Sequence, residues 1–409
     1  MRADVTDELS EKRANSRFTF GRPYVKHAFM KTIERPFWKA EIDRLWRQKS
    51  IVWLSGVRRV GKTVLCRQME DGVYFNCDLP SVQRQLADPE MFFLQHAAAD
   101  RPLLLDEVHR IGDPAQALKI AADEYPNVRI LATGSSTLQA TGKFRDSLTD
   151  RKRSLHLPPA LWRECRSIFG CLDLDRRLLH GGLPGVLLGE QPDPSFFEDW
   201  LDSFYARDIQ ELFGIRNRTG FMALLKLIAL RNGGLLDIGD LAKEAGVSRP
   251  TVSSHLDAME IAHAILRVPP FFGGGHREIV RRPRVFAFDT GLVAHVRGWT
   301  TIREHDRGLL WENLALDELR AIFPPRSIHY WRDKSRREID FVVEHSDGRV
   351  DALEAKINPD ALDGDSLKVF RSLYPKGDNY LLCPFVREPY ALRKNNLSVR
   401  VVRPSDLSP

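Results

Sequence analysis

The sequence predicts an α/β protein of several domains, and three observations support this fold class. Its 409 residues exceed the length of one ordinary domain, so we expect two or three. Between residues 31 and 160, short apolar runs alternate with segments of helical periodicity, which is typical of a largely parallel sheet covered by helices. Near the carboxyl end, residues 337–356 alternate polar and apolar side chains around a turn signal, which predicts a β-hairpin.

Composition narrows the class of protein. With 43% hydrophobic and 28% charged residues, the chain is typical of a soluble globular protein. No apolar run reaches the ~20 residues of a membrane span, and the first residues lack the apolar core of a signal peptide. We therefore expect a cytoplasmic protein without membrane contact. The five cysteines show no metal-ligand spacing and predict reduced thiols. A net charge of +6 favours an anionic partner only modestly.

Shifts in periodicity divide the chain into five predicted regions. They are a flexible arm at 1–30, an α/β domain at 31–160, a helical lid or linker at 161–220, a helix–turn–helix region at 221–298 and a second α/β domain at 299–409. Five apolar runs in the first α/β domain are candidate strands, at 50–56, 72–77, 102–107, 128–134 and 153–158.

A phosphate-binding loop follows the first candidate strand. Residues 50–63, SIVWLSGVRRVGKT, contain Gly-x4-Gly-Lys-Thr between a strand and a segment that can open a helix, which is the P-loop pattern. Glycine lets backbone N–H groups surround phosphates, lysine neutralises the β- and γ-oxygens, and the hydroxyl of Thr63 suits Mg²⁺. The predicted nucleotide-binding residues are Gly56, Val57, Arg58, Arg59, Val60, Gly61, Lys62, Thr63 and Val64.

Two further strand ends complete the predicted nucleotide site. PLLLDEVHR places Asp106 and Glu107 directly after an apolar strand, where Asp106 would hold Mg²⁺ and Glu107 would polarise the attacking water. VRILATGSS ends the next strand with polar residues that suit recognition of the γ-phosphate. Ser135 is the preferred residue for this role and Thr133 is the alternative.

In this order the motifs resemble the AAA-type ATPases. More narrowly, the chain is similar to a prokaryotic family that joins a small AAA-like domain to a C-terminal region resembling restriction endonucleases. The resemblance spans roughly residues 35 to 360 and rests on GVRRVGKT, LLLDEVHRI, LATGSS, GGLPGVLL, YARDIQELFGI and GLLWENLALDEL. It implies an AAA-type P-loop parallel sheet domain, a helical and winged-helix middle and a C-terminal α/β restriction-endonuclease-like domain. The cofactors that it implies are ATP and Mg²⁺.

The resemblance also implies an arginine finger supplied by a neighbouring subunit. The family usually carries a Gly-Arg pair before the last sheet strand, and here the segment reads SLTDRKRSLHLPP. Arg151 aligns best with this arginine, with Asp150 at the glycine position, and Arg153 is a near rival. We therefore expect a homo-oligomer, whose subunit number the sequence leaves open.

Residues 235–270 have the pattern of a winged helix. Leu241, Ala242 and Ala245 form an apolar face, Gly246 permits the turn, and Ser248 can cap the next helix. The expected outward residues are Arg249, Thr251, Ser253, Ser254 and His255. Of these, Arg249, Thr251 and Ser254 are predicted to contact DNA. A role in packing or protein contact is an equal alternative, because so few cations give weak phosphate binding.

The hairpin at 337–356 carries a possible metal site. If the hairpin turns at Asp347, Asp340 lies opposite Glu354, with Cβ atoms roughly 5 Å apart, and Lys356 points to the same face. This arrangement resembles the PD-(D/E)xK nuclease core. The resemblance implies Mg²⁺ or Mn²⁺ on Glu312, Asp340 and Glu354, with Lys356 acting on the attacking water. The expected phosphate contacts nearby are Arg332, Lys334, Arg336 and Arg337.

Together these motifs predict an ATP-hydrolysing AAA-type ATPase that acts on DNA, by remodelling or translocating duplex or branched DNA. Its nuclease-like C-terminal domain would bind DNA. Two alternatives stay open: an ATP-regulated, metal-dependent nuclease, and a regulatory switch NTPase that controls a protein partner. The pathway and the preferred DNA structure do not follow from the sequence.

Overall fold

The computed structural model describes residues 33–134, 138, 142–189, 193–273 and 282–408. Contacts divide the chain into two units, Met1–Ile33 and Glu34–Pro409, and every element below belongs to the second. The arm predicted at 1–30 lies outside the described residues. Within the described ranges, no helix has both the length and the apolar character needed to cross a membrane.

The first part of the second unit is a five-stranded parallel sheet in the order β2–β3–β4–β1–β5. Its strands are β1 (Ile51–Ser55), β2 (Val73–Asn76), β3 (Leu103–Asp106), β4 (Ile130–Thr133) and β5 (Lys152–His156). The accompanying helices are α1 (Pro36–Trp46), α2 (Lys62–Arg67), α3 (Pro80–Gln85), α4 (Pro89–Ala97), α5 (Pro114–Glu124) and α6 (Gly142–Leu148). All five predicted strands are confirmed, to within two residues at most ends.

Strand β1 lies between β4 and β5 and is buried on both faces. Ile51 and Trp53 pack in one hydrophobic core, whereas Val52 and Leu54 pack in another, and all four are 0% exposed. A strand of a parallel sheet reads as a continuous apolar run for this reason. The loop that leaves β1 therefore starts from a fixed point.

The middle part is mostly helical and ends in a small antiparallel sheet in the order β6–β8–β7. Its helices are α7 (Trp162–Ser167), α8 (Leu174–His180), α9 (Pro184–Leu187), α10 (Phe196–Phe204), α11 (Glu211–Phe213), α12 (Arg218–Leu230), α13 (Ile238–Ala245), α14 (Arg249–Ile261) and α15 (Thr290–Val296). Its strands are β6 (Gly234–Leu235), β7 (Ile265–Val268) and β8 (Arg284–Ala287). A π-helical segment, Tyr205–Gln210, connects α10 directly to α11.

Helices α13 and α14 form the predicted helix–turn–helix. Gly246 has a φ of 65° at the turn, and the hydroxyl of Ser248 accepts the backbone N–H of Thr251 as the cap of α14. One expectation is wrong: His255 is 5% exposed and packs against Phe221 instead of facing outward.

The C-terminal part is a six-stranded mixed sheet in the order β13–β14–β12–β11–β10–β9. Its strands are β9 (Ile328–Arg332), β10 (Glu338–Glu344), β11 (Val350–Ala355), β12 (Asn379–Leu382), β13 (Tyr390–Lys394) and β14 (Leu397–Val402). Its helices are α16 (Glu304–Arg320) and α17 (Gly364–Leu373). Strand β11 is buried along its whole length. Its two faces belong to two hydrophobic cores, to which α16 and α17 contribute separately.

The register of the C-terminal hairpin is as predicted. Phe341 pairs with Leu353 and Glu344 pairs with Val350 in an antiparallel ladder. Extended by one residue beyond the paired stretch, this register would place Asp340 opposite Glu354. The turn signal at residues 346–348 was therefore sufficient to align the two strands.

Asp317 of α16 is 2% exposed, and its pKa provides a test of the packing around this helix. Burial raises the pKa of this carboxyl from 3.8 to about 8, and the charges of Arg320 and Arg177 only partly oppose the rise. Between these pKa values the folded protein holds a proton that the unfolded chain releases. The stability contributed by this group is therefore present below about pH 4 and is lost as the pH rises towards 8.

We predict that Asp317→Asn, which stays neutral at every pH, flattens the fall in the free energy of unfolding between pH 5 and 8.5. Urea unfolding of the wild type and the variant across this range measures the difference. Asp123→Asn is the control, because the pKa of this exposed carboxyl is lowered by its hydrogen bond with Arg151. Parallel profiles for the wild type and Asp317→Asn would contradict the prediction.

Candidate functional site

The predicted phosphate loop joins β1 to α2 and requires glycine at two positions. Gly56 has a φ of 151° and Gly61 a φ of 101°, values that L side chains rarely adopt. A Cβ atom on Gly56 would lie 2.5 Å from the carbonyl oxygen of Leu157. The loop is therefore held against the chain that follows β5, and α2 begins at Lys62 directly after it.

The cations of this loop already have partners. The Lys62 ammonium donates to the carbonyl oxygens of Gly56 (2.8 Å) and Val57 (3.2 Å), and burial lowers its pKa. Arg58 forms an ion pair of 2.7 Å with Asp208 in the π-helical segment. Arg58, which is predicted to bind nucleotide, thus joins the loop to the middle part of the chain.

Thr133 connects the carboxylate of Asp106 to the backbone of Glu107. Its hydroxyl donates to Oδ1 of Asp106 (2.5 Å) and accepts the backbone N–H of Glu107 (3.0 Å). The Tyr74 hydroxyl donates to the other oxygen of Asp106 (2.7 Å). Thr133 is 0% exposed and bonded on both sides, and its alternative role as γ-phosphate sensor stays a prediction. The preferred sensor, Ser135, lies outside the described residues.

Glu107 follows β3 in a left-handed conformation, with a φ of 57°. Its Oε2 lies 3.2 Å from Nδ1 of His109. Burial alone would raise the pKa of Glu107, but the hydrogen bond with His109 and the charge of Lys62 outweigh it and lower the pKa. Glu107 is therefore ionised at neutral pH and can accept a hydrogen bond from water.

These groups border a cavity of about 490 Å³ between the parallel sheet and the middle part of the chain. The predicted residues that line it are Gly56, Arg58, Arg59, Gly61, Lys62, Thr63, Val64 and Glu107. The middle part contributes Pro184, Arg207, Asp208, Glu211, Leu212 and Ala262. Ala262 is the C-cap residue that directly follows α14. The cavity is thus closed on one side by the parallel sheet and on the other by helices that the sequence did not assign to the site.

Among the residues that the sequence did not assign to the site, four contact its carboxylates or face its loop. Tyr74 and His109 contact the two carboxylates, while Arg207 and Asp208 face the loop from the π-helical segment. His109 was the easiest to find, because it lies only two residues after Glu107. Arg207 and Asp208 are part of YARDIQELFGI, a segment that supported the family resemblance but from which no site residue was predicted.

The predicted arginine finger lies outside this cavity. Asp150 has a φ of 59°, so this position does adopt the conformation that glycine favours. Arg151 makes a bidentate ion pair with Asp123 (2.6 and 3.1 Å), and Arg153 donates to Gln48 (2.8 Å). Neither arginine is among the described residues that line the nucleotide cavity. The role in a neighbouring subunit stays a prediction for both.

The C-terminal hairpin brings Asp340, Glu354 and Lys356 together. The Lys356 ammonium lies 2.6 Å from Oδ2 of Asp340 and 2.9 Å from Oε2 of Glu354. Burial would raise the pKa of Asp340, but the charges of Lys356 and Arg284 outweigh it and lower the pKa. Burial raises the pKa of Glu354 well above its usual value, and Asp340 adds to the rise.

Glu312 does not join these two carboxylates around a metal position. It pairs with Arg284 of β8, which also lies 3.2 Å from Glu338. Burial raises the pKa of Glu312 to about 7. No group of three or more His, Cys, Asp or Glu side chains in the described ranges could hold a metal ion. Side-chain cations instead pair with all three carboxylates of the predicted metal set, Glu312, Asp340 and Glu354, and metal binding by this set stays a prediction.

The predicted DNA contacts fall into two groups. Arg249, Ser254, Lys334 and Arg336 are exposed, and Thr251 is half-buried at the cap of α14. Arg332 and Arg337 instead pair with carboxylates of the same chain, Glu338 at 3.0 Å and Asp333 at 2.7 Å. Fewer free cations than predicted are therefore available to a phosphate backbone.

Comparison with known families finds three matches along the chain. Residues 48–166 match the family described as an AAA domain. Residues 171–303 and 307–399 match two domains of unknown function, DUF8612 and DUF4143. The AAA-domain match covers the parallel sheet, the loop at Gly56 and the carboxylates at the end of β3.

Related proteins share most of the chain. An uncharacterised protein of Mycobacterium tuberculosis is 28% identical over 335 residues, which cover 79% of this chain and 74% of the relative. An uncharacterised protein of Haemophilus influenzae is 23% identical over 330 residues, covering 72% and 79%.

Two solved structures are also similar. A Walker-type ATPase of Pyrococcus abyssi has a TM-score of 0.40 at 16% identity, covering 63% of this chain and 94% of that protein. A DNA replication initiation factor has a TM-score of 0.24 at 13% identity, covering 55% and 74%. The likeness of the C-terminal mixed sheet to restriction endonucleases stays a prediction. The AAA-domain match and the parallel sheet with its glycine-dependent loop support a P-loop ATPase family for residues 48–166.

Proposed function

We propose that the protein is a Mg²⁺-dependent ATPase that acts on DNA, and that its nucleotide site is coupled to the helix–turn–helix. One observation carries this proposal. Ala262, the C-cap residue of the second helix of the helix–turn–helix, lines the same cavity as Lys62 and Glu107. A nucleotide in this cavity would contact the ATPase sheet and the predicted DNA-reading helix together.

The loop residues would bind the phosphates. Lys62 would exchange its bonds with the carbonyl oxygens of Gly56 and Val57 for the β- and γ-phosphate oxygens. Thr63 and Asp106 suit Mg²⁺, which is usually held by one or two oxygen side chains, waters and the phosphates themselves. When bound, Mg²⁺ would supply positive charge that offsets the negative charge developing on the phosphate oxygens.

Glu107 would orient the attacking water. Its lowered pKa keeps the carboxylate available as a hydrogen-bond acceptor at neutral pH. The hydrogen bond to His109 holds the carboxylate on one side of the cavity. Ser135 would recognise the γ-phosphate, and Arg151 or Arg153 of a second copy would stabilise the transition state.

Arg58 and Asp208 would couple phosphate binding to the helices. Their 2.7 Å ion pair connects the phosphate loop to the π-helical segment, and π-helical turns are frequent at functional sites. Phosphate oxygens would compete with Asp208 for the guanidinium of Arg58, because both ligands are anionic. Release of Asp208 would then free one contact between the loop and the middle part of the chain.

The DNA part of the proposal rests on exposed polar residues. Arg249 and Ser254 lie at the start of the predicted reading helix, and Lys334 and Arg336 lie between β9 and β10. Because these contacts would be mainly to phosphates, binding would weaken steeply with salt.

Regulation of a protein partner is the second candidate, and one observation favours it. Arg267 pairs with Asp257 of α14 at 2.8 Å and also with Glu260 of the same helix. Acidic residues on this helix suit a protein contact better than a DNA groove. In that case the ATPase would respond to the partner and not to DNA.

We predict that Thr133→Val lowers kcat for ATP hydrolysis roughly 10- to 100-fold, because loss of a hydrogen bond to a charged group costs about 1.5–3 kcal/mol. Nucleotide affinity should change much less, since Lys62 and the loop are untouched. Steady-state turnover and titration with a fluorescent nucleotide separate the two effects. Thr133→Ser keeps the hydroxyl and is the control. Equal turnover by the valine variant and the wild type would contradict a contribution of the Thr133 hydroxyl to ATP hydrolysis.

A second prediction separates the two candidate functions. ATP turnover is measured with no DNA and with single-stranded, duplex and branched DNA, for the wild type and Lys62→Ala. We expect DNA to raise wild-type turnover several-fold, with the gain lost as salt increases, and Lys62→Ala to be inactive throughout. Turnover that no DNA form changes would favour the protein-partner candidate. Absence of Lys62-dependent turnover under all conditions would overturn the ATPase itself.

A further inference from the structure

Arg284 is a buried cation at the junction between the middle part of the chain and the C-terminal sheet. It begins β8 and is 6% exposed. Its Nε donates to the carbonyl oxygen of Gly233 (2.6 Å), and its guanidinium lies 5.1 Å from the ring centroid of Phe286. One edge of the Arg284 guanidinium is therefore fixed by contacts with the small antiparallel sheet and the residue beside it, and these contacts do not involve a carboxylate.

The other edge of the guanidinium enters the C-terminal part. There Nη1 pairs with Glu312 of α16 and lies 3.2 Å from Glu338 of β10. The Tyr330 ring of β9 lies 6.0 Å from the same group. One guanidinium thus joins three elements of the C-terminal part to β8.

Four carboxylates meet at this junction, and we call them the carboxylate cluster: Glu312, Glu338, Asp340 and Glu354. Arg284 pairs with the first two and Lys356 with the last two. Arg332 lies 3.0 Å from Glu338 as a third cation. Every member of the cluster therefore has a cationic partner from the same chain.

The ion pairs of Arg284 and Lys356 with the cluster indicate that side chains, and not a metal ion, neutralise its carboxylates. A divalent ion bound to Glu312, Asp340 and Glu354 would have to displace both Arg284 and Lys356. Arg284 would then stay in a poorly solvated place without a partner, which is strongly unfavourable. Lys356, whose side chain is 27% exposed, would lose both of its ionic contacts. Arg284 could not simply withdraw, because its Nε is bonded to Gly233 within its own sheet.

We infer that Arg284 is the cation that this carboxylate cluster binds, and that the cluster is an ion lock that joins β8 to the C-terminal sheet and excludes divalent metals. The C-terminal part is then a module fixed to the helix–turn–helix region, without a nuclease metal centre. This inference is independent of the proposed ATPase, because it uses no residue of the nucleotide cavity.

A double-mutant cycle on the full chain tests the lock. The variants are Arg284→Met, Glu312→Gln and their combination, and urea midpoints and melting temperatures are measured. We expect Arg284→Met to lower both clearly, and the combined variant to lose less than the sum of the single losses. Additive losses would overturn the lock.

Two further variants exclude a general effect of arginine removal. Arg282→Met removes the neighbouring arginine, which is 60% exposed at its side chain and pairs with Asp237 at 2.7 Å. It should change stability little, because exposed pairs contribute little. Arg284→Lys keeps the charge and should recover part of the stability that methionine loses. A lysine variant as unstable as the methionine variant would contradict an ionic role.

Metal exclusion is tested on proteins that retain Arg284. Mn²⁺ binding to the nucleotide-free full chain is followed by electron paramagnetic resonance for the wild type, Asp340→Asn and Glu354→Gln. Circular dichroism and the melting transition establish that each variant is folded. We expect the same Mn²⁺ isotherm for all three proteins. A Mn²⁺ site in the wild type that either variant removes would overturn the inference.

Discussion

The burial of β1 on both faces is the constraint on which the nucleotide site depends. Ile51 and Trp53 belong to one core and Val52 and Leu54 to the other, so this strand cannot shift without disturbing both. The loop after it starts from that fixed strand and packs at Gly56 against the carbonyl of Leu157. The ends of β3 and β4 then lie beside the loop because parallel strands finish at the same edge of a sheet.

Two lysines of this chain show how surroundings decide what a cation can do. Within the described residues, the Lys62 ammonium donates to the backbone carbonyls of Gly56 and Val57, and burial lowers its pKa. A phosphate would be a better partner for its charge than these carbonyls. Lys356 is also largely enclosed, yet Asp340 and Glu354 outweigh burial and raise its pKa. Its charge is already used within the protein. The same residue type thus suits ligand binding at one site and internal pairing at the other.

Local patterns predicted much of this structure, because they depend on residues close in sequence. The strand ends at Asp106 and Thr133 and the hairpin register of Asp340 and Glu354 followed from short motifs. The burial of His255 does follow from helical periodicity, because this residue lies three positions after buried Val252 and therefore on the same helical face. The pairing of Glu312 with Arg284 was not predictable in this way. It joins two separate elements and has no local signature.

The middle part of the chain connects the nucleotide cavity to the carboxylate cluster through a short run of residues. Helix α14 ends at the nucleotide cavity, and β7 follows it and pairs along its length with β8. Strand β8 carries Arg284 into the carboxylate cluster.

The turn between α14 and β7 is also held to the ATPase sheet, where the His263 ring lies 4.4 Å from that of His156 at the end of β5. Burial lowers the pKa of His263 to about 3, so this ring pair stays uncharged beside Lys62 and adds no repulsion there. Helix, turn and strand pair therefore form one continuous packed connection from the phosphate loop to the C-terminal sheet. A contact made with a nucleotide at Ala262 and a contact made by Arg284 act on the same small unit, and this is the physical reason to expect the two ends of the chain to influence each other.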